Sequence, residues 1–378
     1  MSNIKTNKDS LRKEQALEYH ASGRPGKIEV IPTKEAKTQK DLSLAYSPGV
    51  AIPCTEIKNN PSDVYKYTAK GNLVGVISNG TAVLGLGNIG PDASKPVMEG
   101  KAVLFKIFAD IDVFDIEINE TDPDKFVEIV KSLEPTFGGI NLEDIKAPEC
   151  FYIEQQLKEK MNIPVMHDDQ HGTAIISSAA LLNALELQKK RIEKAKFVVN
   201  GAGAAAMACV KLHVALGARH ENFILFDKDG VLHEGRTDLG ADRKPFAIRS
   251  SSMTLEQAMK QADVFLGLSV GNVVSKEMIA SMPKHPIVFA LANPDPEIDP
   301  TIARKYAAVV ATGRSDQPNQ INNVLAFPGI FRGLLDGGLT KITDEMLIAA
   351  ANAISDCVSP EQLNANFIIP SVFDTRIA

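Results

Sequence analysis

Apolar residues in this 378-residue chain alternate between short runs rich in β-branched side chains and longer stretches with helical periodicity. The short runs predict strands, and the longer stretches predict helices. The predicted strands are 73–78, 81–86, 113–118, 163–166, 196–200, 223–226, 264–268, 287–291 and 308–311, and the predicted helices are 11–20, 97–109, 126–133, 150–161, 173–186 and a last one that ends at 216. This alternation is typical of an α/β protein with a doubly wound parallel sheet.

The amino-acid composition limits the kinds of partner that this chain is expected to bind. The 41 Lys and Arg against 47 Asp and Glu give a net charge of −6, which argues against a nucleic acid or an anionic membrane as the main partner. The four cysteines include no C-x-x-C pair, so neither a disulfide framework nor a thiolate zinc site is indicated. The first residues show no apolar signal-peptide core, and no apolar run reaches about 18 residues. We therefore expect a cytoplasmic protein that acts on small molecules.

A glycine-rich turn after the predicted strand 196–200 has the context of a dinucleotide-binding fingerprint. The strand runs into G-x-G-x-x-A, and an alanine-rich helix follows. In such a turn the first glycine allows the bend, the second lets the backbone approach the pyrophosphate, and the small last residue allows close helix packing. The predicted contacts to the dinucleotide are Gly201, Ala202, Gly203, Ala204, Ala205 and Ala206.

Asp227, directly after the strand 223–226, is the predicted partner of the adenosine ribose. A carboxylate at this position accepts a hydrogen bond from the ribose 2′-hydroxyl, which favours NAD. Lys228 beside it could instead pair with the 2′-phosphate of NADP. The local chemistry leaves the choice between NAD and NADP open.

A second glycine motif, from Gly85 to Gly90, also follows a predicted strand. We expect this motif not to bind a dinucleotide, because Pro91 and Pro96 would interrupt the helix whose N-terminus must face the pyrophosphate. The motif is interpreted as a tight turn that could shape a substrate pocket.

Adjacent acidic residues lie at two expected strand-to-helix boundaries in the first half of the chain. Glu143 and Asp144 follow Ile140-Asn-Leu at one boundary, and Asp168 and Asp169 follow Val165-Met-His at the other. Adjacent acids at strand ends are costly unless a cation holds them, and carboxylate oxygens are the ligands that Mg²⁺ and Mn²⁺ prefer. The alternative is that Glu143 and Asp144 only cap a following helix and interact with its dipole.

Eight stretches of the sequence together carry the pattern of a known family. They are LAYSPGV, NGTAVLGLG, PVMEGK, GINLED, HDDQHGT, GAG, LANP and NNVLAFPG. The chain resembles the malic enzyme family, and most closely the catalytic part of the hybrid bacterial type that carries a phosphotransacetylase-like domain. The resemblance implies NADP- or NAD-dependent oxidative decarboxylation of L-malate to pyruvate and CO₂ on Mg²⁺ or Mn²⁺, with oxaloacetate decarboxylation as a partial reaction.

The resemblance also implies roles for individual residues. It gives Tyr46 as general acid and Lys101 as general base. The implied metal ligands are Glu143, Asp144 and Asp169; further cofactor contacts are Asp169, Thr173 and Asn293; and the substrate contacts are Lys101, Asn293 and Asn323. By local sequence alone, Tyr46 could be a half-buried aromatic at a turn, and Lys101 could be a solvated helical lysine.

The chemistry of malate oxidation sets a condition on Lys101. This lysine must be neutral to take the hydroxyl proton of malate, so we expect burial and the nearby metal to lower its pKa far below that of a free amine. Tyr46 is suited to protonate C3 of enolpyruvate, because a phenol near a lysine ammonium shifts its pKa toward the working range.

These motifs divide the chain into four expected parts. Residues 1–40 form an N-terminal arm that could pack on a partner subunit, and residues 41–165 form an α/β domain for substrate and metal. Residues 166–350 form a doubly wound Rossmann domain for the dinucleotide, and residues 351–378 form a C-terminal helix and tail. We expect a homodimer or a higher homo-oligomer.

Two other classes share parts of this pattern. In a metal-free oxidoreductase with the same domain order, such as an amino-acid dehydrogenase, the three acids would be structural. In a non-catalytic nucleotide-binding regulator, Tyr46 and Lys101 would belong to the scaffold. Likeness to the hybrid type favours NADP, whereas Asp227 favours NAD.

Overall fold

The computed structural model describes residues 2–83 and 86–377, and the side chains from residue 11 onward within those ranges. The strands are β1 (Leu73–Ser78), β2 (Asp112–Glu117), β3 (Gly139–Leu142), β4 (Val165–His167), β5 (Phe197–Asn200), β6 (Phe223–Asp227), β7 (Gly230–Val231), β8 (Val264–Gly267), β9 (Ile287–Ala290) and β10 (Val309–Thr312). The helices are α1 (Ser2–Ala21), α2 (Gln39–Ala45), α3 (Ala51–Asn59), α4 (Val64–Tyr67), α5 (Pro91–Ala109), α6 (Pro123–Ser132), α7 (Glu149–Lys160), α8 (Asp168–Leu187), α9 (Ala204–Ala215), α10 (Leu255–Met259), α11 (Lys276–Ala280), α12 (Pro300–Ala303), α13 (Phe327–Asp336) and α14 (Asp344–Asp356).

The first sheet has the strand order β2-β1-β3-β4, and its strands are parallel. Every residue of β1 is buried, because helices cover both faces of the sheet. Val74 and Val76 pack with Phe105 of α5 and Phe327 of α13 on one face. On the other face Ile77 packs with residues of α6 and α7.

The second sheet has the order β10-β9-β8-β5-β6-β7, and only β7 runs antiparallel to its neighbour. Numbered within this unit, the order corresponds to the doubly wound arrangement 3-2-1-4-5-6. The strand order reverses between β5 and β8, so a crevice is expected outside their carboxyl ends. The predicted fold class, two α/β units of which the second is doubly wound, is confirmed.

Helix α8 connects the two sheets. It begins directly after β4 of the first sheet, and its body packs against α9 and α14 in the core of the second unit. Most of its residues are buried, around nearly the whole circumference, as expected for a helix packed on several sides. None of the helices in the described ranges is long and apolar enough to cross a membrane.

Besides α1, which begins at Ser2 rather than at 11, three predicted elements differ from the structure. The predicted helix 97–109 begins earlier, at Pro91, and includes Pro96, so the expectation that these prolines interrupt it is wrong. Pro91 occupies a first-turn position, where a backbone N–H has no helical partner in any case. In place of the predicted strand 81–86, the described residues form bends and an isolated bridge between Val83 and Gly87, and Gly85 lies outside the described residues.

The third difference concerns α8, which starts at Asp168 rather than at 173. Asp168 and Asp169 therefore belong to its first turn, where a carboxylate interacts favourably with the helix dipole.

Candidate active site

The carboxyl ends of β3 and β4 bring the predicted acids together. Glu143 and Asp144 follow β3, and Asp168 and Asp169 follow β4, which is its parallel neighbour. Parallel neighbours end at the same edge of a sheet, so residues distant in sequence meet there. The opposite side of this cluster is formed by α5, which carries Lys101.

Three of these acids have the arrangement of a metal site. Glu143, Asp144 and Asp169 each offer a carboxylate oxygen, and these oxygens lie within 4.8 Å of one another. Oδ2 of Asp144 is buried without a hydrogen-bond partner among the described residues, and the Asp144 amide donates to Oδ2 of Asp169 at 3.0 Å. An oxygen-only ligand set with an unpartnered buried oxygen fits a hard divalent cation such as Mg²⁺ or Mn²⁺.

The alternative role as helix caps is wrong for Glu143 and Asp144. The next helix, α7, begins only at Glu149, and its cap is Pro148. The two acids therefore have no helix terminus to stabilise.

Lys101 is buried, with 7% of its surface exposed, and its Nζ lies between two carboxylates. It is 2.7 Å from Oδ2 of Asp168 and 2.9 Å from Oε1 of Glu143. Nδ2 of Asn323 donates to the same oxygen of Asp168. Asp168 thus joins the predicted base to a predicted substrate contact, a role that the sequence reading missed although the adjacent Asp168 and Asp169 pointed to it.

Crowding of acids changes the protonation equilibria of the cluster. Burial and the neighbouring carboxylates raise the pKa of Asp144 to about 9. Burial raises the pKa of Asp168 to about 7, although Lys101 counteracts the shift. The pKa values of Glu143 and Asp169 are also raised by burial. Without a cation these charges are costly.

The pKa of Lys101 is raised when no cation engages the surrounding carboxylates, and the expected lowering, which depends on a bound metal, stays a prediction. Burial acts to lower it, but the negative charges of Asp168, Glu143 and Asp169 outweigh that effect. The ammonium form is therefore favoured as long as these carboxylates face it uncompensated.

Tyr46 is not part of this cluster in the single chain. It follows the last residue of α2, and 75% of its surface is exposed. No hydrogen bond within the described ranges links its hydroxyl to Lys101. The helices α2 and α3 have no buried residue, so the whole segment around Tyr46 lies on the surface.

The glycine turn after β5 has the geometry of a pyrophosphate site. Gly201 has a φ of +113°, and a Cβ there would lie 2.3 Å from the carbonyl oxygen of Leu268, so only glycine fits. A Cβ on Gly203 would meet no atom within 4 Å, which leaves room beside the backbone. Helix α9 begins at Ala204 and directs its N-terminus toward this space, while Ala206 is buried against the core.

A cavity of about 630 Å³ extends from this turn toward the end of β6. It is lined by Asn200, Gly201, Ala202, Gly203, Asp227, Lys228, Asp229, Asp238, Arg243, Leu255, Ser269, Val270 and Val273. Its volume and its position at the reversal of strand order suit a dinucleotide.

Asp227 is bound by another side chain, so it is less available to a ribose hydroxyl than predicted. Oδ1 and Oδ2 accept from Nη1 and Nη2 of Arg236, each at 2.7 Å. Burial acts to raise the pKa of Asp227, but the hydrogen bonds from Arg236 outweigh it and lower the pKa. Arg236 lies in a loop nine residues further along the chain, and no sequence pattern singled it out. Within the described ranges, neither Lys228 nor Arg243 at the cavity forms an ion pair.

The remaining predicted contacts occupy the rims of the two sheets. Thr173 is half-buried on α8, four residues after Asp169 and therefore on the same helical face. Asn293 is exposed in the loop after β9, and its amide lies against Gly313 at the end of β10. Asn323 is the one of these residues that directly contacts the acidic cluster.

A doubly wound unit with a dinucleotide turn thus lies next to a sheet that ends in carboxylates and a buried lysine. Residues 25–158 match the family model of the malic enzyme N-terminal domain, and residues 170–377 match that of the malic enzyme NAD-binding domain. The chain belongs to the malic enzyme family, as its sequence motifs predicted.

Individual relatives agree with this assignment. The NADP-dependent malic enzyme of Escherichia coli is 56% identical over 98% of this chain and 51% of its own length, so the chain spans about half of that relative. The bifunctional malic/malolactic enzyme of Bacillus subtilis is 54% identical over 98% of this chain and 90% of its own length. The crystal structure of malic enzyme from Pyrococcus horikoshii has a TM-score of 0.91 and 47% identity, over 96% of this chain and 87% of that one.

Proposed function

We propose that the chain catalyses the oxidative decarboxylation of L-malate to pyruvate and CO₂ in the cytoplasm, with NADP as oxidant and Mg²⁺ or Mn²⁺ as metal. The observation that carries this proposal is the convergence of Glu143, Asp144 and Asp169 beside Lys101. A metal-free hydride-transfer enzyme or a nucleotide-binding regulator has no use for such a group of acids.

The three acids would hold the metal, with the unpartnered Oδ2 of Asp144 as one of its ligands. When bound, the ion supplies Lewis-acid polarisation of the C2 oxygen, which decarboxylation requires as an electron sink. Nicotinamide supplies the hydride acceptor. The protein residues in turn orient malate and move its protons.

Lys101 is the group placed to take the malate hydroxyl proton. Engagement of Glu143 and Asp169 by a cation would remove two of the three charges that raise its pKa. The amine then comes closer to the neutral form that a general base needs. Asp168 holds Lys101 and Asn323 in fixed positions through one oxygen, which supports a shared role in proton handling.

Tyr46 is proposed as the acid that protonates enolpyruvate, within a homodimer. Leu42, Leu44 and Ile52 around it are more than half exposed, which is typical of a surface that packs against another subunit. Light scattering should show a dimer, and replacement of Leu44 by Asp should yield monomers. A chain that is monomeric and fully active would contradict the role of this surface.

NADP is proposed as the preferred cofactor. Arg236 occupies both oxygens of Asp227, which weakens this carboxylate as a partner for a ribose hydroxyl. Lys228 and Arg243 line the same cavity and can face a 2′-phosphate.

One assay tests the central proposal. Malate is supplied with NADP or NAD, with and without Mn²⁺, and the reduced cofactor and pyruvate are measured. We expect equal amounts of both products, dependent on Mn²⁺ and higher with NADP. Oxaloacetate as the only product, or turnover without any divalent ion, would contradict the proposal. Cofactor binding without turnover would favour the regulator.

A further inference from the structure

Glu297 is a fully buried carboxylate at the carboxyl edge of the second sheet, with no exposed surface. Within the described ranges, no Lys or Arg forms an ion pair with it. Instead, Oε1 accepts from the backbone N–H of Ser269 at 3.0 Å and Oε2 accepts from that of Ala292 at 3.1 Å. Both oxygens thus accept hydrogen bonds, and these bonds favour the ionised carboxylate, whereas burial acts more strongly in the other direction and raises its pKa.

These hydrogen bonds connect the ends of three parallel strands. Ser269 follows β8, and Ala292 follows β9. The Ser269 hydroxyl also lies 3.4 Å from Oε1 of Glu297 and accepts from Nδ2 of Asn200, the last residue of β5, at 2.7 Å. The network therefore runs from the residue before Gly201 to the residue before Asn293.

The sheet leaves space for this carboxylate at Gly267. A Cβ at that position would lie 2.3 Å from Cδ of Glu297, so the acid packs directly against the backbone of β8. Burial of an ionised group costs stability unless hydrogen bonds compensate it, and an apolar residue of similar size would fill the same space. Packing alone therefore does not explain why a carboxylate occupies this position.

We propose that Glu297 is a positioning residue for the dinucleotide. It acts through Ser269, which lines the cavity, and through Ala292, which fixes the start of the loop that carries Asn293. By bonding both amides it sets the distance between the loop after β8, which borders the crevice, and the loop after β9. This inference rests on the proposed function.

The test is fluorescence titration of the full chain with NADPH, in the wild type and in Glu297→Gln. The amide keeps one acceptor but presents N–H groups to one of the two backbone donors, so one loop must shift. We expect the Kd for NADPH to rise about tenfold, the effect of losing roughly one such hydrogen bond.

Asp263→Asn is the matched control. Its carboxylate accepts from the Lys196 amide at 3.0 Å and pairs with Lys190 at the opposite, amino-terminal edge of the same sheet. We expect this variant to lower the thermal midpoint and to leave the Kd unchanged.

The Kd separates positioning from a loss of folded protein. A variant that only unfolds part of the population lowers the amplitude of the titration, whereas the molecules that remain folded bind with the wild-type Kd. An unchanged Kd in Glu297→Gln would overturn the inference and leave the proposed function intact. A wild type that does not bind NADPH would overturn both.

Ser269→Ala serves if Glu297→Gln does not fold. It removes the hydroxyl between Asn200 and Glu297 but keeps both backbone bonds of the carboxylate. We expect the Kd for NADPH to rise about threefold, as for a partly compensated hydrogen bond. A wild-type Kd in this variant would equally overturn the inference.

Discussion

The chain gathers acidic side chains at two places, and the two clusters differ in what neutralises them. In each, three carboxylates offer oxygens within 4.8 Å of one another. The first cluster consists of Glu143, Asp144 and Asp169 after the strands of the first sheet, and the second consists of Asp227, Asp229 and Asp238 beside the dinucleotide cavity.

In the second cluster the protein supplies its own cation. Arg236 forms ion pairs with all three acids, at distances of 2.5 to 3.9 Å. In the first cluster Lys101 forms an ion pair with only one member, Glu143, and Asp144 keeps a buried oxygen that has no hydrogen-bond partner in the described part of the chain. Three acids that lie close together therefore do not by themselves define a candidate metal site. A candidate metal site differs in that the positively charged side chains of the protein do not neutralise all of its carboxylates.

The largest expected effect is that of removing the lysine next to the first cluster. Lys101→Ala should lower kcat for malate oxidation about 10³-fold, because it removes the amine proposed to take the malate hydroxyl proton. Dinucleotide affinity should stay near the wild-type value. The control is Lys106→Ala on the same helix, whose exposed amine pairs with Asp110 and Asp112 and should be dispensable. Equal activity of the two variants would refute the role of Lys101.

A direct comparison of the two clusters uses one substitution in each. Asp144→Asn should weaken Mn²⁺ binding at least about tenfold, because an amide replaces a charged ligand. Asp229→Asn should leave it unchanged, because Arg236 already neutralises that cluster. Calorimetric titration of both variants with Mn²⁺ measures the difference. Equal losses of Mn²⁺ affinity in the two variants would show that Mn²⁺ does not prefer the first cluster over the second.

The role of Arg236 can be measured by cofactor preference. Arg236→Gln frees the oxygens of Asp227 for a ribose hydroxyl and leaves its charge to repel a 2′-phosphate. The ratio of kcat/KM for NAD to that for NADP should therefore rise about tenfold, equivalent to about 1.4 kcal/mol. A ratio that does not move would mean that Asp227 is not involved in the choice of cofactor.

The smallest effect concerns His213, a buried ionisable group with no counter-charge among the described side chains. Both of its ring nitrogens are buried without a hydrogen-bond partner in the described part of the chain, and burial lowers its pKa from 6.5 to about 3. Below about pH 6.5 the unfolded chain takes up a proton that the folded chain does not. This contribution to stability is therefore constant above that pH and is lost progressively as the pH falls toward 3.

Between about pH 7.5 and pH 6 the loss amounts to about 0.8 kcal/mol. His213→Leu should remove this part of the pH dependence, and urea denaturation of both proteins at the two pH values measures it. The remaining titrating groups are shared and cancel in the difference. Identical pH dependence in wild type and variant would contradict the lowered pKa.

Sequence patterns predicted the buried strands well, because residues covered on both faces form continuous apolar runs, as in β1 and β5. Helix starts were less predictable. Pro91 begins α5 although its residue type predicts an interruption of the helix, and α8 starts five residues before its apolar pattern, at Asp168. Caps and first turns depend on local geometry more than on periodicity.

For the candidate site, the sequence motifs and the family resemblance identified the acids that lie close together. They lie together because neighbouring parallel strands have their carboxyl ends at the same edge of the sheet. The motifs and the resemblance did not identify partners that only folding brings close. Arg236 reaches Asp227 from an irregular loop, and Asp168 bonds Lys101 across 67 positions of sequence. The exposed position of Tyr46 likewise depends on how α2 packs, which no local pattern reports.

The first turn of α8 places Asp168 and Asp169 on consecutive residues, about 100° apart around the helix axis. Asp168 thus presents its carboxylate to Lys101, and the next residue, Asp169, presents its carboxylate to Glu143 and Asp144. Insertion or deletion of a single residue in this turn would rotate both carboxylates together. Such a change would therefore alter the contact to Lys101 and the contact to the three-acid group at the same time. An engineer who wants a different ion should therefore begin with the loop after β3, where Glu143 and Asp144 lie outside any helix.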